Sequence, residues 1–473
     1  MKYKILILCT LLLILGYGCQ SVKRVEHAEP ELIPIINTAL YDSASVFFGN
    51  FGNYPLNKTL SAIGIFDSGT GGLTVMEAIV TLDMFNNSTG EEIPDGINDF
   101  AGESFIYLAD QANMPYGNYS SENKTDYLRE LIVQDALFLM NQKVKAIVIA
   151  CNTATATGLT DVQTLLDKSQ TGVSVTGVIN AGVKGALESL SKEESATIGV
   201  MATVGTIKTE GYERTIKEMA KQLGYTGTLQ IVNQPAMGFA EAVDEEPDFV
   251  LRTAEQPRAS YRGPALNNPD YPIDQQLLDV YCFDYSNNGM LHNNTQMQLN
   301  AAQNYARYYL LSLVEKLRIS PYPQPLKVLI MGCTHYPYHK ETLRNMLHEL
   351  RNYSKDGQFP YRDLIAEEVV LIDPAINTAK ELYLLLRKQK LLTQNSSATQ
   401  ADFYITIPNS DLPDIELETQ ERFTYEYKYG RNTGTLLEYV KIVPFSSDNI
   451  DKETQKRFST AIPVTFSIMP NLK

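Results

Sequence analysis

Two of the five cysteines in this chain stand where a repeated strand pattern ends. Cys151 follows the apolar run 146–150 (AIVIA), and Cys333 follows 328–331 (VLIM) with one glycine between. In open α/β sheets, ligands bind outside the carboxyl ends of the strands. The stretches Lys145 to Cys151 (KAIVIAC) and Lys327 to Cys333 (KVLIMGC) align without a gap, and polar side chains follow each cysteine: Asn152 and Thr153 in one copy, Thr334 and His335 in the other. A lone cysteine is usually a small buried apolar residue. A cysteine at the same step of a repeated strand instead points to two related halves that face each other. The thiolate is the reactive form, and a thiol of ordinary pKa near ~8.5 needs a neighbouring cation or hydrogen-bond donor to reach it. His335, two residues beyond Cys333, is placed to supply that help.

A third chemical element is Asp67-Ser68-Gly69-Thr70-Gly71-Gly72, a glycine-rich loop between an expected strand and an expected helix. Such a loop lets backbone amides at a helix N-terminus hold an anion. It is not a dinucleotide fingerprint, because the third glycine would fall on Thr74, and no Gly-Lys-Ser/Thr follows to make a P-loop. Asp67 at the strand end would repel a phosphate. It can instead meet an amino group, polarise a neighbouring thiol, or simply cap the following helix. Other constellations fail. Asp284, Ser286, Asn288 and Gly289 open like an EF-hand loop, but the twelfth position is Thr295 rather than glutamate. His27, His292, His339 and His348 show no metal-ligand spacing, no G-x-S-x-G elbow occurs, and Cys282 reads as structural. Neither a metal nor a cofactor is called for.

These groups need a frame, and the texture of the chain supplies one. Short apolar runs at 62–66, 105–108, 146–150, 173–179, 197–201, 328–331 and 369–372 read as strands of a parallel sheet covered on both faces. Helical patterns follow at 73–81, 124–141, 182–190, 207–223 and 340–351. The expected fold class is α/β, with doubly wound units. A polar, tyrosine-rich stretch at about 243–325 with one long helical pattern, 299–317, reads as an insertion. Alternation in 423–429 and 461–468 predicts a small β-rich extension over 411–473.

Composition narrows the partners. With 473 residues, 44% of them hydrophobic and 20% charged, the chain is an ordinary globular protein, long enough for two or three domains at roughly 100–200 residues each. Fifty-five acidic against 40 basic side chains give a formal charge of −15. That argues against nucleic acid or an anionic membrane surface and for a small-molecule partner. Residues 1–18 read as an export signal: Lys2 and Lys4 precede an apolar run, 5–15, too short for the ~20 residues of a spanning helix. Gly16-Tyr17-Gly18-Cys19 resembles a bacterial lipobox, which predicts acylation at Cys19 and a place in the cell envelope, outside the cytoplasm. Residues 19–60 read as tether and lead-in.

Four motifs taken in order carry a family resemblance: 63–74 (IGIFDSGTGGLT), 110–117 (DQANMPYG), 150–156 (ACNTATA) and 332–337 (GCTHYP). Together they resemble the motif set of glutamate racemases, with supporting blocks at 177–186, 198–212, 371–379 and 403–406. The resemblance spans about 61–410 and implies two similar doubly wound domains with the active site in the cleft between them: 61–170 with 368–410, and 171–350. It implies cofactor-independent racemisation, a reaction that serves peptidoglycan synthesis, in which Cys151 and Cys333 flank the substrate Cα. One thiolate removes the α-proton while the other thiol delivers one. By the same resemblance, Asp67 assists Cys151 and His335 assists Cys333. Ser68, Pro115, Tyr116, Gly117, Asn152, Thr153 and Thr334 line an acidic amino acid. Gln234-Pro235 with Glu241 stands where the family has a Cys-Pro and a glutamate, making Glu241 a further candidate beside Cys333, and Asn180-Ala181 departs from the family's Val-Ile-x-Pro-Gly segment. Two other readings stand beside glutamate racemisation: racemisation of another acidic amino acid such as aspartate, and a non-catalytic envelope lipoprotein that binds through the same fold. A homodimer is compatible with each.

Overall fold

The computed structural model describes residues 32–243, 245–393, 398–419, 422–470 and 472. The expected signal segment and Cys19 lie outside the described residues. Fourteen strands are described in chain order: β1 Ile63–Asp67, β2 Ser104–Ala109, β3 Ala146–Ile149, β4 Ser174–Gly177, β5 Ala196–Ala202, β6 Leu229–Pro235, β7 Met290–His292, β8 Met297–Leu299, β9 Leu326–Gly332, β10 Ile365–Ile372, β11 Gln400–Pro408, β12 Leu417–Thr419, β13 Arg422–Phe423 and β14 Val440–Pro444. Two parallel sheets organise the fold. The first has the order β14-β11-β2-β1-β3-β4 and the second β10-β9-β5-β6, every neighbour parallel except β14, which runs antiparallel to β11.

The residue pattern explains the layers. β1, β3 and β5 are buried along their whole length, as strands covered on both faces must be, and apart from Asp67 at the end of β1 and Thr197 in β5 their residues are apolar. One core packs the helices Leu73–Val80 and Pro374–Gln389 on the first sheet through Met76, Ile79, Leu382 and Leu386. Two cores sandwich the second sheet. Ile179, Val183 and Ile216 cover one face from helices Val178–Glu188 and Gly211–Leu223. On the other face, helices Ala302–Ile319 and Lys340–Asn352 bring Tyr309, Leu313, Leu343 and Leu347. The expected insertion belongs to this last core: Val250, Ile273, Tyr281, Phe283, Met297 and Leu299 pack with helix Ala302–Ile319.

Three expectations differ from the structure. The strand expected over 173–179 stops at Gly177, and Val178 and Ile179 open a helix. Both side chains are buried there, so packing overrides their β-branched preference. The boundary between halves also moves. β4 pairs with β3 in the first sheet although it lies after residue 171, and β10 pairs with β9 in the second sheet although its last residues lie after 368. Apolar runs mark strands but carry no label for the sheet they join. Finally, the stretches 423–429 and 461–468 are not β-rich: Thr424 caps the helix Tyr425–Gly430 through its Oγ1, and Pro463 opens the helix Pro463–Ser467. Within the extension β12 pairs with β13, and β14 lies at the edge of the first sheet against β11.

Candidate active site

Both cysteines fall where strand register predicts. Phe66 on β1 is level with Ile149 on β3, and the Ala150 amide donates to the Phe66 carbonyl at 2.9 Å, so Asp67 and Cys151 emerge side by side. On the second sheet, Ala202 of β5 is level with Gly332 of β9, and Cys333 emerges next. Cys151 and Cys333 are both free thiols and both buried.

Cys151 is the N-cap of helix Asn152–Ser169, and its Sγ accepts from the Ala154 amide at 3.4 Å. Ser68 Oγ stands 3.6 Å from the sulfur. Asp67 Oδ2 accepts from the amides of Gly69 (3.2 Å) and Gly72 (2.9 Å), and the thiol of Cys151 also hydrogen-bonds the carboxylate. Asp67 thus does two of the three things its position allowed: it caps the loop that starts helix Leu73–Val80, and it faces a thiol. Gly72 must be glycine for this, since a Cβ there would lie 2.6 Å from Asp67 Cβ and 2.8 Å from Ala150 Cβ. Burial raises the Asp67 carboxyl above the usual carboxylate range, against the pull of its amide donors. Burial, then the Asp67 charge, pushes the Cys151 thiol up to about 12, against the amide of Ala154. Two buried acids in contact do not both ionise, so the pair holds a proton ready to give away.

The Cys333 end is built differently. Its Sγ lies 3.5 Å from His335 Nδ1, and the same nitrogen lies 3.3 Å from Thr334 Oγ1. Tyr336 anchors the turn, stacking on Phe239 with ring centroids 4.4 Å apart. Glu241, on the short helix Phe239–Val243, is close enough for its charge to act on Tyr336.

Gly71 marks where the two ends meet. A Cβ on it would stand 3.3 Å from Thr334 Oγ1, 3.6 Å from His335 Cε1 and 3.7 Å from Asp67 Oδ2. One point therefore touches the proton-transfer candidates of both halves. A second junction joins Gly117 and Gly205, where a side chain on either would strike the other backbone at 3.2 and 3.0 Å. A third is Tyr212, whose ring passes 3.0 Å from a Cβ on Gly332 and whose hydroxyl donates to Asn152 Oδ1 at 2.8 Å.

Among the other sequence candidates, Ser68, Asn152 and Thr334 are half-buried at this junction, and Thr153 is buried in the first turn after Cys151. Pro115 is exposed. Tyr116 is placed differently. It is 1% exposed, and its hydroxyl sits between Asp110 Oδ2 (2.6 Å) and Asp135 Oδ2 (2.7 Å), leaving its backbone for any ligand. A hydroxyl has one proton for two carboxylates, so one of them is protonated. Asp110 also accepts from Thr406 and Asn113, and burial and the Asp110 charge hold Asp135 well above the usual range; Asp135 is the neutral one. Sequence reasoning missed this network, Tyr212, and Tyr107, whose hydroxyl donates to the Gly69 carbonyl at 2.8 Å. Asp110 and Tyr212 lie inside the motif blocks, but a tyrosine in a motif gives no sign of its partner.

Residues 86–254 match the family described as Asp/Glu/Hydantoin racemase. The chain is 26% identical to the glutamate racemase of Levilactobacillus brevis over 345 residues, 73% of this chain and 85% of that one. It is 26% identical to the glutamate racemase of Geobacter metallireducens over 362 residues, 76% and 92% of the two chains. The crystal structure of glutamate racemase isoform RacE1 from Bacillus anthracis superposes with a TM-score of 0.44 and 24% identity, covering 72% of this chain and 87% of that one. Paired thiols at matched strand ends thus accompany similarity to glutamate racemases over about three quarters of the chain.

Proposed function

We propose that this protein is a cofactor-independent glutamate racemase working by two-thiol acid/base catalysis. The observation that carries the reading is the meeting of both halves at Gly71, with the Asp67 carboxylate and the His335 ring each beside its own cysteine. Cys151 and Cys333 take opposite faces of the substrate Cα. In one direction a thiolate at one sulfur accepts the α-proton while the opposite thiol protonates the carbanion from the other face. The two sulfurs exchange protonation states in each turnover. Asp67 and His335 return protons to them between turnovers, with Glu241 supporting the Cys333 end. Ser68, Asn152, Thr153 and Thr334, with the backbone of Pro115, Tyr116 and Gly117, hold the ammonium and carboxylates. The similarity to curated glutamate racemases over at least 85% of their length supports glutamate as the substrate.

The test follows the Cα proton of L- and D-glutamate and L- and D-aspartate by NMR in D2O with reductant. Deuterium entering both enantiomers of glutamate establishes the reaction, and no exchange into glutamate overturns it. The mature chain is anchored in the envelope through acylated Cys19, and fatty-acid labelling that survives Cys19→Ser would refute that. Sedimentation equilibrium decides for or against a homodimer.

A further inference from the structure

The loop 111–117 spans the junction between the halves. At one end Met114 Sδ lies 2.6 Å from where a Cβ on Gly69 would be, and at the other Gly117 abuts Gly205. Its inner side is held by the Asp110–Tyr116–Asp135 network. Its outer side is held by a segment far away in sequence, beyond the family motifs. Lys428, on helix Tyr425–Gly430, donates from Nζ to the Met114 carbonyl at 2.6 Å, and Tyr429 OH reaches the Pro115 carbonyl at 3.5 Å. Arg431 Nη2 donates to Asn113 Oδ1 (2.6 Å) and to the Tyr119 hydroxyl (2.9 Å). Asn113 in turn donates from Nδ2 to Asp110 at 2.9 Å. An amide therefore relays a buried cation to the buried carboxylate that immediately precedes the loop.

Arg431 is 6% exposed, with its guanidinium over the rings of Tyr127, Phe423 and Tyr439 at 4.8 to 5.2 Å from their centroids. Burying a cation is costly unless it is compensated. Here the rings and the charge of Asp110 compensate it, and that ties the extension to the acid at the start of the loop. The chain beyond Arg431 is secured separately: the Gly434 amide donates to both Glu130 oxygens at 2.9 and 3.0 Å, and Lys124 Nζ donates to the Arg431 carbonyl at 3.1 Å. Two of these contacts go to the carbonyls of Met114 and Pro115, the backbone that immediately precedes Tyr116 and Gly117. They fix main-chain placement rather than side-chain identity.

We propose that the segment 425–431 is a clamp supplied in cis that positions the substrate loop 111–117, with Lys428 and Arg431 as its positioning residues. The inference rests on the racemase reading for what the loop binds. A half-buried lysine that holds a loop backbone acts on substrate binding more than on proton transfer. In Lys428→Met, KM for glutamate rises about tenfold with kcat within about twofold and an unchanged melting temperature, because the lost contact serves ground and transition states alike. Lys428→Arg restores KM, and Arg431→Lys shifts KM in the same direction. An unchanged KM in Lys428→Met overturns the clamp, as does a joint fall of kcat and melting temperature that marks a purely structural contact. Amide exchange at residues 113–119 is read in parallel. If the wild-type chain exchanges no Cα proton, the racemase reading fails by itself; the clamp then stands if those amides exchange faster in Lys428→Met and falls if they do not.

Discussion

The two strand ends that carry Cys151 and Cys333 begin from nearly the same sequence and finish in opposite electrostatic settings. Beside Cys151, the neighbouring strand β1 ends in a carboxylate, Asp67. Beside Cys333, the neighbouring strand β5 ends in Ala202 and is followed by Thr203, whose hydroxyl is spent capping the next helix, and the titratable partner is His335 on the cysteine's own turn. The asymmetry extends to the other end of the repeat. Lys145 is fully buried against Glu103, at 2.5 Å, and donates to the carbonyls of Thr59 and Leu391, whereas Lys327 pairs with Glu194 in a half-exposed position. A repeated strand reproduces a position in space and leaves the surroundings free to diverge. That divergence is useful here, since a racemase must run the same proton transfer in two directions from two faces.

The comparison breaks most visibly at the sulfurs. Cys151→Ser and Cys333→Ser are each expected to lower racemisation about 10³-fold or more, because each removes one of two proton carriers that act in concert. Residual deuterium exchange in the two variants should belong to opposite enantiomers. Equal residual exchange from both enantiomers in either variant would show that the sulfurs do not divide the two faces. Next in size is the lysine pair, read by denaturant unfolding. Lys145→Met leaves Glu103 buried without its cation and is expected to cost about 3–5 kcal/mol, while Lys327→Met breaks a surface pair and costs about 0–1 kcal/mol. Similar losses in both would mean that the halves are more alike than their burial indicates.

Asp67→Asn sharpens the comparison because it acts on one end only. Loss of the proton acceptor beside Cys151 is expected to lower turnover about 10²-fold. The same change removes a negative charge that raises the Cys151 thiol, so its iodoacetamide labelling should become faster at any fixed pH. In the wild-type chain, burial and Asp67 place that thiol at about 12. Below that pH the thiolate fraction grows about tenfold per pH unit, and the labelling rate at the Cys151 peptide should rise with that slope between pH 8 and 10. A labelling rate at Cys151 that is flat above pH 8 would contradict the burial argument.

How much of this was legible in the sequence follows from what each residue contributes. β1, β3, β5 and β9 are built on apolar stretches of four or more buried residues, so their patterns are unmistakable. β6, Leu229–Pro235, is half-buried and reads LQIVNQP, which carries no strand signal because an edge strand needs fewer apolar residues. The helices Tyr425–Gly430 and Pro463–Ser467 were hidden under aromatic alternation, with a threonine cap and an initial proline as the only signals. Cysteines, Asp67 and His335 were legible as chemistry because they sit at strand ends. Contacts between halves were not, since nothing in Gly117 or Gly205 announces that each must lie against the other.

Tyr212 gives the smallest expected effect and the sharpest view of how the two ends communicate. Its ring packs beside Gly332, one residue before Cys333, while its hydroxyl donates to Asn152, one residue after Cys151. Its side chain thus touches the flank of both cysteines. Burial holds its phenol well above the ordinary tyrosine range, so it stays neutral and serves as a donor rather than as a proton carrier. Tyr212→Phe keeps the ring packing and removes only the hydrogen bond, which in comparable cases is worth about 0.5–1.5 kcal/mol. If that bond holds Asn152 in place for substrate, kcat/KM should fall about threefold to tenfold, mostly through KM and equally for both enantiomers, since Asn152 does not move protons. A loss confined to one enantiomer would instead tie the hydroxyl to a single sulfur, and would mean that Tyr212 belongs to one end rather than to the junction.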